Sequence, residues 1–319
     1  MRRGIAVTPM EIRADVIVCA ATLAEELGYE VFSVAEGWGL DSTILLAELA
    51  AATRRITLVA GVLSVWGRSP ATIAMTAATL HRLSGGRFVL GLGASTRQLV
   101  EGWHDLGYDR PAARLRVVTS RVRALLDGER PALSAVPAAR ALRLGQPAVP
   151  ELPIWLAATG EQTIRVAAEL SDGWYPIYLR RDQVRELGAG MSKHRATHPI
   201  TLVAGPFTVV DPDVPAARAA AAACITAYLA AMGDIYPRVV AAQGLAAEVD
   251  LVRSTNTIPD EAQILLDEFA AYGTAATVQE QLERWDAAVD VTMIGLPPGL
   301  PWPQIEATIR AAAPRASAG

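Results

Sequence analysis

The chain reads as an α/β protein folded into a closed (β/α)8 barrel. Short β-rich runs alternate with longer helical patterns throughout its 319 residues, which is how a parallel sheet built from βα units looks in sequence. Eight such runs can be placed. That is more than an open doubly wound sheet usually carries, and the length suits a barrel of about 250 residues with insertions.

The first strand is predicted at Gly4–Val7, ahead of a charged run expected to be helical over Glu11–Leu27. Val31–Val34 follows, then a helix over Ser42–Ala52 for which Asp41 offers an N-cap carboxylate. Thr57–Ala60 leads through an irregular loop to a helix over Ala71–Leu83, opened by Pro70, whose missing N–H has no partner to lose at a helix start. Phe88–Leu92 and Ile154–Ala157 are the fourth and fifth strands, with helices predicted over Arg114–Leu126 and Gln162–Ala168. Gly173–Pro176 precedes a helix over Arg181–Arg195, and Ile200–Val210 precedes an Ala-rich helix over Ala216–Ala231. A helix over Thr277–Ala288 feeds the last strand, Val291–Leu296. Two segments exceed an ordinary connection. Proline-rich 129–153 reads as a surface excursion, and 232–276 as an inserted helical segment before the last βα unit. With no linker between them, 1–319 reads as one domain.

Composition removes several classes of function. A chain that is 51% apolar and 19% charged buries a large core. A net charge of −4 lacks the basic face that nucleic-acid binding requires. The two cysteines, Cys19 and Cys224, suit neither a disulfide framework nor a zinc site, so a reducing cytoplasm is expected. No signal-peptide pattern opens the sequence, and no apolar run reads as long enough to span a bilayer. The four histidines, His81, His104, His194 and His198, have no metal-ligand spacing, and no serine sits in a nucleophile elbow. No metal site is expected.

In a barrel of this kind, chemistry belongs to the loops that follow the strands. Gly91-Leu-Gly93-Ala-Ser95-Thr96 offers close backbone approach and hydroxyls at a helix start, though a plain strand-to-helix turn reads equally well. Ala157-Ala158-Thr159-Gly160-Glu161-Gln162 can present helix N-terminal amides to a phosphate, and Thr159 with Gln162 also matches a capping box. Glu36, near Trp38, is a candidate proton carrier whose alternative is a solvated loop carboxylate. Arg68 can pair with a phosphate or a carboxylate. Of the histidines, only His104 lies in such a loop.

The stretch Ile56–Gly93, including the turn Leu83-Ser-Gly-Gly-Arg87, resembles the luciferase-like flavin and deazaflavin oxidoreductases. Pro153–Ala158, Ser171–Trp174 and Gly273–Leu282 fit the same family, so the resemblance covers nearly the whole chain. Ala35–Asp41, Gly93–Ser95 with Val100–His104, and Met232–Arg238 look like its F420-dependent subgroup more than its FMN monooxygenases. The resemblance implies a TIM-barrel oxidoreductase that takes the deazaflavin F420, with FMN the alternative, and that forms a homodimer. It implies a cis peptide at Gly61–Val62 behind the ring, with Ser95, Thr96, Ala158, Thr159 and Gly160 along the cofactor. Arg68 and Gln162 join these as candidate contacts. Two positions depart from the family pattern: Gly37 stands where many deazaflavin enzymes have histidine, and Arg97 where a proline is common.

The expected chemistry is hydride transfer between F420 and a small apolar substrate, such as reduction of an activated C=C or imine. Glu36 would move the accompanying proton, with His104 as second candidate. An FMN-dependent monooxygenase is one rival, and a cofactor-binding barrel without turnover is another. The pocket is expected to be shaped by 129–153 and 232–276.

Overall fold

The computed structural model describes residues 2–133, 135–193 and 199–315, with backbone alone at Ser192 and Lys193. The predicted helix end at Arg195, and His194 and His198, lie outside the described residues. Among the described residues eleven strands form: β1 (Arg3–Val7), β2 (Val31–Val34), β3 (Thr57–Ala60), β4 (Leu63–Ser64), β5 (Phe88–Gly93), β6 (Ile154–Ala157), β7 (Gly173–Trp174), β8 (Thr201–Ala204), β9 (Phe207–Val210), β10 (Ala270–Gly273) and β11 (Val291–Leu296). The parallel ladder β1-β2-β3-β5-β6-β7-β8-β11 returns to β1, with Ile5 opposite Phe32 on one side and Ile294 on the other. This is the closed eight-stranded barrel that the alternating pattern predicts. β4 pairs outside that ring with β5.

The expected single strand Ile200–Val210 is two. Pro206 has no N–H for the ladder, and a Cβ at Gly205 would stand 1.9 Å from the Met293 carbonyl oxygen, so the chain jogs there. Beyond the jog, β9 touches β11 at one register and then pairs with β10. The insertion is therefore not wholly helical. Helices Ile235–Val240, Ala246–Thr255 and Ile264–Phe269 lead into β10, whose four residues end at Gly273 with φ 120°. A final helix, Trp302–Ala311, is absent from the sequence reading because prolines crowd its start. They occupy positions that a first helical turn tolerates.

The Ala-rich helix runs over Val214–Thr226 and continues as a π turn, Ala227–Ala231. Contrary to the sequence reading, this 18-residue run, with a mean hydropathy of 1.4, is long and apolar enough to cross a membrane by composition alone. Here Ala217, Ala221, Ile225 and Leu229 are buried against β9, β10 and the helices of the insertion, forming a second core beside the barrel.

Closure of the barrel has a polar component. Arg3, on β1, is fully buried, and its guanidinium donates to Asp286 at 2.7 Å, to Gln279 at 2.9 Å and to the Ala312 carbonyl at 2.9 Å. It thus joins the first strand to the last two helices. Replacing Asp286 leaves a desolvated cation without its counter-charge. Asp286→Ala is expected to cost about 3–5 kcal/mol of unfolding free energy in urea titration, and a loss below about 1 kcal/mol would contradict this role.

Candidate active site

The cavity at the C-terminal ends of the strands has a volume of about 1090 Å³, counted to its open mouth. Its wall begins at β3, where the Gly61–Val62 peptide is cis and the Gly61 amide donates to Val34 O at 2.8 Å. Glycine is required at 61 because a Cβ would stand 1.9 Å from Ser33 Oγ. Gly93 lies on the same wall, where a Cβ would meet Val62 at 2.7 Å.

Ser95, at φ 60°, occupies the left-handed region that side chains other than glycine seldom adopt. It is held there by neighbours: its carbonyl accepts from the Tyr108 hydroxyl at 3.1 Å, and Trp66 Nε1 donates to Ala94 O at 2.9 Å. Thr96 caps the helix Arg97–Gly102, its Oγ1 accepting from the Leu99 amide at 3.3 Å. Arg97 pairs with Glu101 and lies over the Tyr108 ring, so the residue replacing the family's proline braces this loop from outside.

Glu36 lines the cavity, but it is not an isolated carboxyl beside Trp38. Arg68 donates to it at 2.6 Å and to Asp41 at 3.1 Å, and Ser42 Oγ approaches at 3.5 Å. Burial alone would lower the Arg68 pKa, but the hydrogen bond and charge of Glu36, joined by Asp41, outweigh it and raise the value. Asp41 also caps the helix Ser42–Ala52 through the Thr43 amide at 2.9 Å, as predicted. Gly37 packs against Pro9: a Cβ there would stand 2.7 Å from the proline ring, so this backbone leaves no room for a histidine.

Of the candidate residues, Glu36, Gly61, Val62, Ser95 and Thr96 come together on the cavity wall. Arg68 stands behind Glu36. Ala158, Thr159, Gly160 and Gln162 lie just past Ala157, the last residue of β6 and itself on the wall. The helix there begins one residue later than the predicted capping box: Gly160 is the N-cap, and its amide donates to Thr163 Oγ1 at 3.2 Å. His104 is outside the wall, packed on Gly67, where a Cβ would meet its ring at 2.9 Å.

The excursion 129–153 contributes nothing to the cavity, contrary to expectation. It connects a helix to the start of β6 and so lies at the opposite end of the barrel, where Val149 and Leu152 are buried in the core. The insertion does contribute, through Met232 and Tyr236, as does Tyr228 just before it. The sequence reading missed Tyr228 and also Gly205–Phe207. The Gly-Pro pair inside a β-rich run was the available signal for the latter.

A barrel with a substrate-sized cavity at its C-terminal face defines an enzyme whose chemistry sits among the βα loops. Residues 1–291 match the luciferase-like monooxygenase family. The chain belongs to that family and is an oxidoreductase. It is 32% identical, over 306 aligned positions, to a Mycobacterium tuberculosis protein named as a coenzyme F420-dependent oxidoreductase, covering 85% of this chain and 87% of that protein. The F420-dependent tetrahydromethanopterin reductase of Methanopyrus kandleri shares the fold at TM-score 0.76 and 18% identity, covering 98% and 97% of the two chains. So does the oxygenating component of 3,6-diketocamphane monooxygenase of Pseudomonas putida, in complex with FMN, at TM-score 0.73 and 15% identity, covering 98% and 96%.

Two predictions follow from the wall. Gly61→Ala forces Ser33 or the β3 loop to move and is expected to destabilise the fold by about 1–3 kcal/mol; an unchanged Tm would show slack at this position. Burial pushes the Tyr175 and Tyr236 hydroxyls up to about 12. Between 10.0 and about 12 the unfolded phenols lose protons that the native ones keep. Stability should therefore fall as pH rises through that window. Absorbance at 295 nm combined with urea unfolding tests this.

Proposed function

We propose that this chain is an F420-dependent oxidoreductase acting on a small apolar organic substrate. The observation that carries the reading is the cavity wall. Gly61 and Gly93 bring residues without a side chain to it, beside Val62, Ser95 and Thr96. Such a wall admits a flat ring system edge to backbone. The cofactor supplies two-electron hydride chemistry when bound.

In this reading Gly61–Val62 supports the back of the ring, while Ser95 and Thr96 offer hydroxyls to its edge. Amides of the helix that follows Gly160 and the Gln162 side chain point to the phosphate, which a helix N-terminus stabilises. Glu36, the one carboxylate on the wall among the described residues, handles the proton that accompanies the hydride. Arg68 fixes its position. The similarity to the mycobacterial relative, over most of both chains, favours F420 over FMN.

Reduced F420 mixed with the protein should regain its oxidised absorbance when substrate is supplied, and failure of F420 to bind in a fluorescence titration would overturn the reading. Oxygen uptake with reduced FMN would identify an FMN monooxygenase instead. Glu36→Gln should lower kcat by about 10²-fold or more while leaving F420 affinity within about threefold. Unchanged turnover would remove Glu36 from the proton path.

A further inference from the structure

Part of the cavity wall is built by residues to which the cofactor reading assigns no contact. Tyr228, Met232 and Tyr236 line it together with Ile177, Phe207 and Met293. Tyr228 sits in the π turn Ala227–Ala231, and Tyr236 in the following helix. The extra residue in a π turn shifts side chains off the regular helical face, an arrangement frequent at functional sites.

The two phenol rings are held tightly. Their centroids lie 5.2 Å apart, edge to face, and Tyr228 also packs on Phe207 and Tyr178 at 5.5 Å each. Their hydroxyls are not used by the protein. Among the described residues neither makes a hydrogen bond, and neither is sealed from space, whereas the unpartnered Tyr178 hydroxyl is. Tyr228 as a residue is only 4% exposed, so its hydroxyl opens into the cavity rather than to bulk solvent.

Charge on the wall limits what can occupy this space. The titratable groups in the described lining are Glu36, Tyr175, Tyr228 and Tyr236, with no lysine, arginine or histidine. An anionic ligand group would meet no cation on the wall itself, since the Arg68 guanidinium behind Glu36 is already engaged by Glu36 and Asp41. A neutral oxygen acceptor would meet two open donors in an apolar frame, where an unmade hydrogen bond is costly.

Resting on the oxidoreductase reading, we infer that Tyr228 and Tyr236 form a substrate subsite that binds the carbonyl oxygen of a neutral apolar ketone or enone. Burial raises both hydroxyls above their ordinary value, Tyr236 to about 12, so each stays a donor at neutral pH.

The test uses the full chain without cofactor and trans-2-decalone as probe, read by calorimetry and by the infrared carbonyl stretch. Tyr228→Phe and Tyr236→Phe keep the rings and should each weaken decalone binding roughly 3- to 10-fold. Each should also move the bound carbonyl band toward higher frequency. Decalin-2-carboxylate, of the same shape, should bind at least about tenfold more weakly than the ketone. Unchanged ketone affinity and band position in both variants, or tighter binding of the carboxylate, overturns the subsite. F420 titration of each variant is the control for folding and is expected to match the wild type. If F420 fails to bind even the wild type, the proposed function falls while the ketone comparison, which needs no cofactor, still decides the subsite.

Discussion

A buried guanidinium holds the barrel closed. Strand order alone brings β1 beside β11, but parallel ladders of four to six residues are a weak clasp for two chain ends nearly three hundred residues apart. Arg3 adds a fan of donors that reaches the helix before β11 and the end of the helix after it. A fully desolvated charge is tolerated only where its partners are all in place, so this arginine ties closure to the docking of both terminal helices. The consequence at the other end of the strands is functional. With β1 and β11 in register, Ala6 lies opposite Gly295, and Thr8 and Pro9 join Met293 and Gly295 in lining the cavity.

Around that ring the strand ends divide the labour. On the β3–β5 side, side chains are removed: Gly91 packs on the Ala60 backbone, and Gly61 and Gly93 on the Ser33 and Val62 side chains, at separations that a Cβ would forbid. On the β7–β9 side, and from the π turn, side chains are crowded in: Phe207, Tyr228 and Tyr236 contact one another in series, while Tyr175 packs edge-on against Trp155. Glu36, on the wall, pairs with Arg68 behind it, and Arg68 is braced in turn by Asp41 at a helix start. A surface pair of this kind would add little. Here both side chains are largely buried, so the pair sets local geometry more strongly than an exposed one could.

What the sequence disclosed follows the range of the forces involved. Strands β2, β3, β6 and β11 fall where β-rich runs predict them, and Asp41 and Pro70 open their helices as local capping rules require. These depend on neighbours a few residues away. The split of Ile200–Val210 was hidden because the break is imposed by Met293, which packs on Gly205 from the neighbouring strand β11, far along the sequence. Strand β10 was hidden because its partner, β9, exists only after that split. The same limit applies at the site. Glycine-bearing loops marked Gly61, Ser95 and Thr96, but no local rule relates Tyr228 to Phe207 or sends 129–153 to the far end of the barrel.

The misplacement of the 129–153 excursion explains how this fold separates frame from specificity. A connection from helix to strand returns to the N-terminal end and can grow there without touching chemistry, whereas any growth after a strand adds to the cavity wall. In this chain the growth after β9 is large: the long apolar helix, its π turn and the insertion that follows. It buries a core of its own before it reaches the cavity. That second core gives Tyr228 and Tyr236 rigid support from Tyr178, Phe207 and each other. Precise placement of a polar group in an apolar wall needs such support, since a loosely held phenol would turn to satisfy itself. The insertion is thus large for a structural reason, because fixing two hydroxyls over an open cavity takes a packed core behind them.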